Sequence, residues 1–205
     1  AILCGEIFPE ILVENKGINP ITSVDVIYRV NGGSNQPFSV TVSLDPGQTT
    51  SISLPSINIG VTGPSTLEVE ATTTNDTFPE NNTLIQNFFS NAFGQGGAIN
   101  TFESADETLL TYNDIDNNNS VWEKGAPTGT LLNQASSGTQ VYGTNLDGNH
   151  PDGVKSFLVS NCYEMSSILA PVLKFNMAYD LEINFDIVYV EYSTDKGSSW
   201  NVLGN

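Results

Sequence analysis

"ITSVDVIYRVNGGSNQPFSVTVSLDPGQ", residues 21–48, is the stretch whose reading decides the fold. Val24, Val26, Tyr28 and Val30 are apolar, and Ser23, Asp25 and Arg29 fall between them. Successive side chains of a strand point to opposite faces, so this period of two describes a strand with one dry and one wet face. "NGGSNQP" at 31–37 is a cluster of turn formers. Phe38, Val40, Val42 and Leu44 then alternate again. "DPGQ" at 45–48 ends the run, because Pro presets φ and Gly allows φ > 0.

The same pattern recurs on both sides. "EILVEN" (10–15), "TSISLP" (50–55), "STLEVEATTT" (65–74, with Leu67, Val69 and Ala71 inward) and "NNTLIQNFF" (81–89) each read as a strand. Six or seven strands at this spacing predict an antiparallel sandwich of immunoglobulin type over residues 1–91. No segment there has a helical period. "SNAFGQGGAIN" (90–100) is Gly-rich and lacks alternation, so residues 92–100 read as a linker.

Residues 101–205 change character. "TFESADETLLTY" (101–112) starts a strand, and long Gly/Asn/Asp loops follow. "APVLKFNMAYDLEI" (170–183) places Leu173, Phe175, Met177 and Tyr179 on one face. "FDIVYVEYSTDKGSSWNVLG" (185–204) reads as a hairpin with its turn at 195–197. Val188, Val190 and Tyr192 anchor one face of it to the core, and Trp200 and Val202 lie on the return. The expectation is a second all-β domain of jelly-roll type. It is expected to be truncated at its C-terminus, since a closing hairpin leaves an unpaired sheet edge.

Composition excludes several functions. The 205 residues suit two domains of about 100 each. Six Lys+Arg stand against 23 Asp+Glu, a formal net charge of -17. Such a surface repels phosphate backbones and anionic lipids, which excludes nucleic-acid partners. No apolar run approaches the ~20 residues of a membrane span, so membrane insertion is not expected. "AILCGEIFPE" lacks the basic start and apolar core of a signal peptide, which suggests a mature or excised piece of a larger protein. The two cysteines, Cys4 and Cys162, could bridge the two halves, pair elsewhere or stay reduced. With one histidine and no Cys/His cluster, zinc is not expected.

Two acidic groups invite a functional reading. "DIDNNNS" puts Asp114, Asp116 and Asn118 two residues apart, a spacing at which turn oxygens can converge on calcium. Asn119 and Gly125 stand where an EF-hand loop has Gly and Glu, so a shorter calcium site or a solvated turn are the two readings. Asp180, Glu182 and Asp186 share a strand face by period two, either as a wet rim or as a second calcium site. A glycosidase pair would need two carboxylates facing across a cleft. His150 lies among turn formers and reads as a surface residue. No nucleophile elbow or P-loop is present. Asn75, Asn81 and Asn118 match the N-glycosylation pattern, which an Asn-rich chain produces by coincidence. Trp122, Tyr142, Tyr192 and Trp200 are either core residues or a sugar-stacking platform.

The first half resembles the CARDB-like sandwich domains of secreted Bacteroidetes proteins. The carrying residues are Cys4, Pro9, "VENKG" (13–17), "SVDVIY" (23–28) and "SLDPGQ" (43–48). The second half resembles MAM-like or cleaved-adhesin jelly rolls through "FES" (102–104), "WEKGAP" (122–127), "TNLDG" (144–148), "FLVSNCY" (157–163) and "VYVEYSTDKGSSW" (188–200). The resemblance implies a secreted or cell-surface accessory region that acts as spacer and interaction module, not an enzyme. Such regions follow pappalysin-type metalloproteases and travel by type IX secretion. It also implies calcium near "FE", with Glu103 as a further ligand. The alternatives it raises are a calcium-dependent adhesin or carbohydrate-binding module, with a protein or glycan partner, and the non-catalytic tail of a secreted metalloprotease.

Overall fold

The computed structural model describes residues 1–114 and 121–204. They fall into two compact units, Ala1–Ser90 and Asn91–Asn205. Among the described residues there is no α-helix, and the fold is all-β.

The first unit holds β1 (Ile2–Cys4), β2 (Glu6–Ile7), β3 (Glu10–Glu14), β4 (Ile21–Val30), β5 (Gln36–Leu44), β6 (Thr49–Ser53), β7 (Ile57–Asn58) and β8 (Gly63–Thr72); β9 (Thr83–Asn91) ends at the boundary. A five-stranded sheet runs β1-β9-β8-β4-β5, and the pairs β3–β6 and β2–β7 face it. The alternation of β4 decides this arrangement. Val24 and Val26 are each 1% exposed. With Tyr28, Leu67, Val69 and Phe88 they pack against Ile7, Ile11, Ile52, Leu54 and Ile59 of the other layer. Burying one such aliphatic side chain favours folding by about 1.5–3 kcal/mol, which is why the period-two pattern dominates. On the wet face, Arg29 pairs across strands with Glu68, and Ser39 donates to Asp25 at 2.6 Å.

The turns follow the sequence chemistry. Gly47 has φ 79°, and the Gln48 N–H donates to the Asp45 carbonyl at 3.0 Å, closing a turn with Pro46 and Gly47 at its centre. Gly5, at φ 63°, lets the chain leave β1 in one layer and enter β2 in the other. β1, β2 and β7 are two or three residues long, too short to show alternation, and sequence reading passes over them.

Asn15 joins the motifs at 13–17 and 43–48. It is 2% exposed. Its Nδ2 donates to the carbonyls of Leu44 and Asn19, both at 2.9 Å, and its Oδ1 accepts the Gly17 N–H at 2.9 Å. Its N–H donates to the Gln48 carbonyl, and its carbonyl accepts the Gly47 N–H. Every polar atom of this buried residue is thus used, as burial demands.

The second unit contains β10 (Leu110–Asn113), β11 (Trp122–Gly125), β12 (Val141–Thr144), β13 (Ser156–Val159), β14 (Glu191–Tyr192) and β15 (Asn201–Val202). They form three antiparallel pairs, β10–β13, β11–β12 and β14–β15. Tyr112 stacks on its cross-strand partner Phe157, with ring centroids 4.8 Å apart. Residues 92–94, at the start of the expected linker, lie beside Cys162: Phe93 bridges it, and Gly94 N–H donates to its carbonyl at 2.8 Å.

Two expectations are corrected here. Residues 170–183 form no strand, and Leu173, Phe175, Met177 and Tyr179 are all exposed, Leu173 by 59%. Within 185–192 only Glu191 and Tyr192 are strand; Val188 and Tyr192 are exposed and Val190 is half-buried, so they anchor no core face. Alternation gives a strand only when neighbouring strands take up its backbone groups and a second layer covers its apolar face. Neither surrounds residues 170–183, and in 185–192 a strand partner reaches only Glu191 and Tyr192.

Candidate functional site

The 101–109 loop is held by bonds from β11, β12 and the 138–140 turn. β11 and β12 place Lys124 opposite Tyr142, so both side chains share one face. Tyr142 holds the loop at two points. Its hydroxyl accepts the Leu109 N–H at 2.8 Å, and its ring meets Phe102 edge-on at 5.2 Å. Phe102 has φ 63°, an uncommon backbone state for a bulky residue. Its N–H is fixed by the Asn100 Oδ1 at 3.0 Å.

Glu103 follows directly. Its Oε1 accepts the N–H groups of Thr139 and Gln140, both at 2.8 Å, and its Oε2 accepts the Thr139 hydroxyl at 2.9 Å. These bonds, the Thr139 and Gln140 N–H groups first, hold its carboxyl below the usual range. Gly138 lies against the same carboxylate with φ 64°, leaving no room for a Cβ. Glu103 therefore pins the 138–140 turn.

Of the other calcium candidates, Asp116 and Asn118 lie outside the described residues. Asp114 lies 4.0 Å from Lys155 Nζ, and its N–H donates to the Lys155 carbonyl. Asp180, Glu182 and Asp186 do not share a strand face: residues 183–185 turn, and Asp186 accepts the Glu182 N–H at 2.8 Å. His150 Nε2 stands 3.4 Å from Asp186 Oδ2. Among the described residues no group of three or more His, Cys, Asp or Glu is arranged to hold a metal ion.

The hairpin turn is closed by its own side chains. Asp195 accepts the Ser199 N–H and hydroxyl, at 2.9 and 2.6 Å, and the Ser193 hydroxyl at 2.8 Å. Ser193 Oγ in turn accepts the Gly197 N–H at 2.8 Å. The Ser199 bonds, then Ser193, hold the Asp195 carboxyl at about 2. A depressed carboxyl supports the folded turn fully above its unfolded value, and that support is lost as pH falls through about 2. Carboxyl-carbon titration by NMR is expected to show Asp195 ionised down to this range; a midpoint at the ordinary 3.8 would rule out the closed turn.

The sugar-platform candidates divide. Tyr142 is engaged by Phe102 and Leu109, Trp122 is half-buried, and Tyr192 and Trp200 are exposed. Two concavities of the first unit, about 260 and 300 Å³, each include one charged side chain, Glu10 and Arg29 respectively. Neither brings a general acid and base together. Cys4 and Cys162 are both disulfide-bonded. The sequence reading missed Lys124 and the pinning roles of Glu103 and Tyr142. A lone strand lysine in a chain with six basic residues was the available signal.

Comparison with known proteins gives one partial likeness. A stretch of the chain is 39% identical over 93 residues to Bacillopeptidase F of Bacillus subtilis (strain 168), covering 43% of this chain and 6% of that protein. The chain therefore spans only a small share of that curated relative. No protein-family model matches the chain, and no solved structure matches it. Among the described residues no helix is long and apolar enough to cross a membrane.

Proposed function

We propose that this chain is a non-catalytic, extracellular β-sandwich region of a larger exported protein, serving as spacer and interaction module beside a peptidase. One observation carries the reading. The matched stretch is 6% of a protein named as a peptidase, and about 100 residues is the size of one accessory domain. Three features support it. The carboxylates of Glu103, Asp186 and Asp195 bind their own backbone and do not face one another across a cleft. Both cysteines are oxidised, as in exported proteins. The acidic surface keeps such a protein soluble.

The finer version is a CARDB-like domain followed by a MAM-like jelly roll, carried by type IX secretion and completed by strands outside this stretch. The convergence of both first-half motifs on Asn15 supports its first part, and the uncovered apolar residues at 170–190 support its last. The test has two arms. The isolated chain is expected to cleave neither unfolded casein nor fluorogenic peptides. Deleting it from the parent protein is expected to leave kcat/KM on small peptides unchanged while lowering export yield or half-life. Hydrolysis by the isolated chain, abolished by one acidic substitution, would overturn the proposal.

A further inference from the structure

We propose that the ammonium of Lys124 is the resident counter-ion of the acidic 101–108 loop, taking the place of a bound cation, so that this loop folds independently of calcium. The loop carries three carboxylates, Glu103, Asp106 and Glu107, within five positions. Like charges this close repel unless solvated or neutralised. Lys124 projects from β11 into the loop and donates to the Ser104 carbonyl and, at 2.9 Å, to the Glu107 carbonyl. Two of its three protons are thus committed to backbone oxygens, which fixes the charge in place.

The three carboxylates are bonded to other groups, and none forms a direct ion pair with Lys124. Glu103 turns to Thr139 and Gln140. Glu107 Oε2 takes the Thr101 hydroxyl at 3.0 Å and the Ser104 N–H at 3.3 Å, and Asp106 takes the Ser104 hydroxyl. Hydrogen bonds chiefly hold Glu103 and Asp106 ionised; at Glu107 burial opposes ionisation and the Thr101 and Ser104 bonds outweigh it; the Lys124 charge adds a smaller push in the same direction at all three. A calcium ion would need six to eight oxygens turned inward on one centre. An ammonium bonded to two carbonyls needs none of the three carboxylates to turn. Tyr142, directly across from Lys124, holds both ends of the loop, so one strand pair supplies both the charge and the clamp.

The test compares wild type, Lys124→Met and Lys124→Arg as full chains, each in millimolar calcium and in excess chelator. Melting temperature and amide exchange of Leu109, Thr139 and Gln140 are followed. Wild type is expected to give the same protection at those three amides in both buffers. Lys124→Met is expected to lower the melting temperature of the second unit by roughly 4–8 °C and to lose protection at those three amides. Lys124→Arg, which keeps the charge, is expected to restore most of both. Calcium-dependent protection of those three amides in the wild type, or a Lys124→Met variant indistinguishable from it, would overturn the proposal. If Lys124→Met does not fold, the wild-type arm still decides: protection lost in chelator refutes the internal counter-ion, and protection kept supports it.

Discussion

Asn15→Ala is expected to destabilise the first unit by about 3–4 kcal/mol, a large share of a small domain's stability. The substitution strands the Leu44 carbonyl in a buried site and leaves the Asn19 carbonyl and Gly17 N–H without their partner. A buried polar group left unpaired costs about 1–3 kcal/mol, and the two half-buried groups add less. Asn15→Asp keeps the shape and is expected to cost more at neutral pH. Its carboxylate would point at two carbonyl oxygens, which raises the introduced group's folded pKa above the unfolded value of about 3.9. That penalty grows as pH rises past the unfolded value, so this variant, unlike Asn15→Ala, recovers stability below about pH 4. Native-state hydrogen exchange of the β4 and β8 amides reads this unit alone. A loss under about 1 kcal/mol for either variant at neutral pH would mean that Asn15 is a surface turn residue.

The second large effect is a contrast between two leucines that the sequence treats alike. Leu44 and Leu173 each occupy one position of an alternating apolar run. Leu44 is 2% exposed and Leu173 is 59% exposed. Leu44→Ala is expected to cost about 2–5 kcal/mol, the transfer of the side chain plus the cavity left behind. Leu173→Ala is expected to stay within about 0.5 kcal/mol, as surface changes do. Urea unfolding followed by circular dichroism measures both. Equal losses would show that residues 170–183 are covered by a second layer in solution.

These leucines show how far alternation can be read. In 21–48 the turn chemistry at both ends agreed with the period of two, and so did the spacing of the flanking strands. Each run there had antiparallel partners close in sequence. At 170–183 the period of two was as clear, but no neighbouring run supplied a partner. Periodicity reports what a segment would bury, not whether anything lies opposite.

The site followed the same division. The resemblance marked Glu103 as a ligand and the sequence placed a turn at 195–197; Glu103 and Asp195 both carry strongly bonded carboxylates. It could not say that their partners are backbone N–H groups, at 139–140 and 199. Those partners depend on where a turn lies in space, and Glu103 lies 36 residues from Thr139. Lys124 was harder still, because its partners are main-chain carbonyls, which every residue has and no motif records.

By itself, then, the sequence determined the all-β class, the order of the longer strands β3 to β6, β8 and β9 with the turns between β4, β5 and β6, the buried faces of β4, β5 and β8, and the acidic surface. All of these follow from local rules: side-chain alternation, the φ preferences of Pro and Gly, and the count of charges. Tertiary structure alone decided that Asn15 is a saturated buried junction, that Glu103 and Lys124 brace loops, and that residues 170–190 stay uncovered. Each of those depends on which distant groups arrive within hydrogen-bond or packing distance, and that is settled only when the chain has closed on itself.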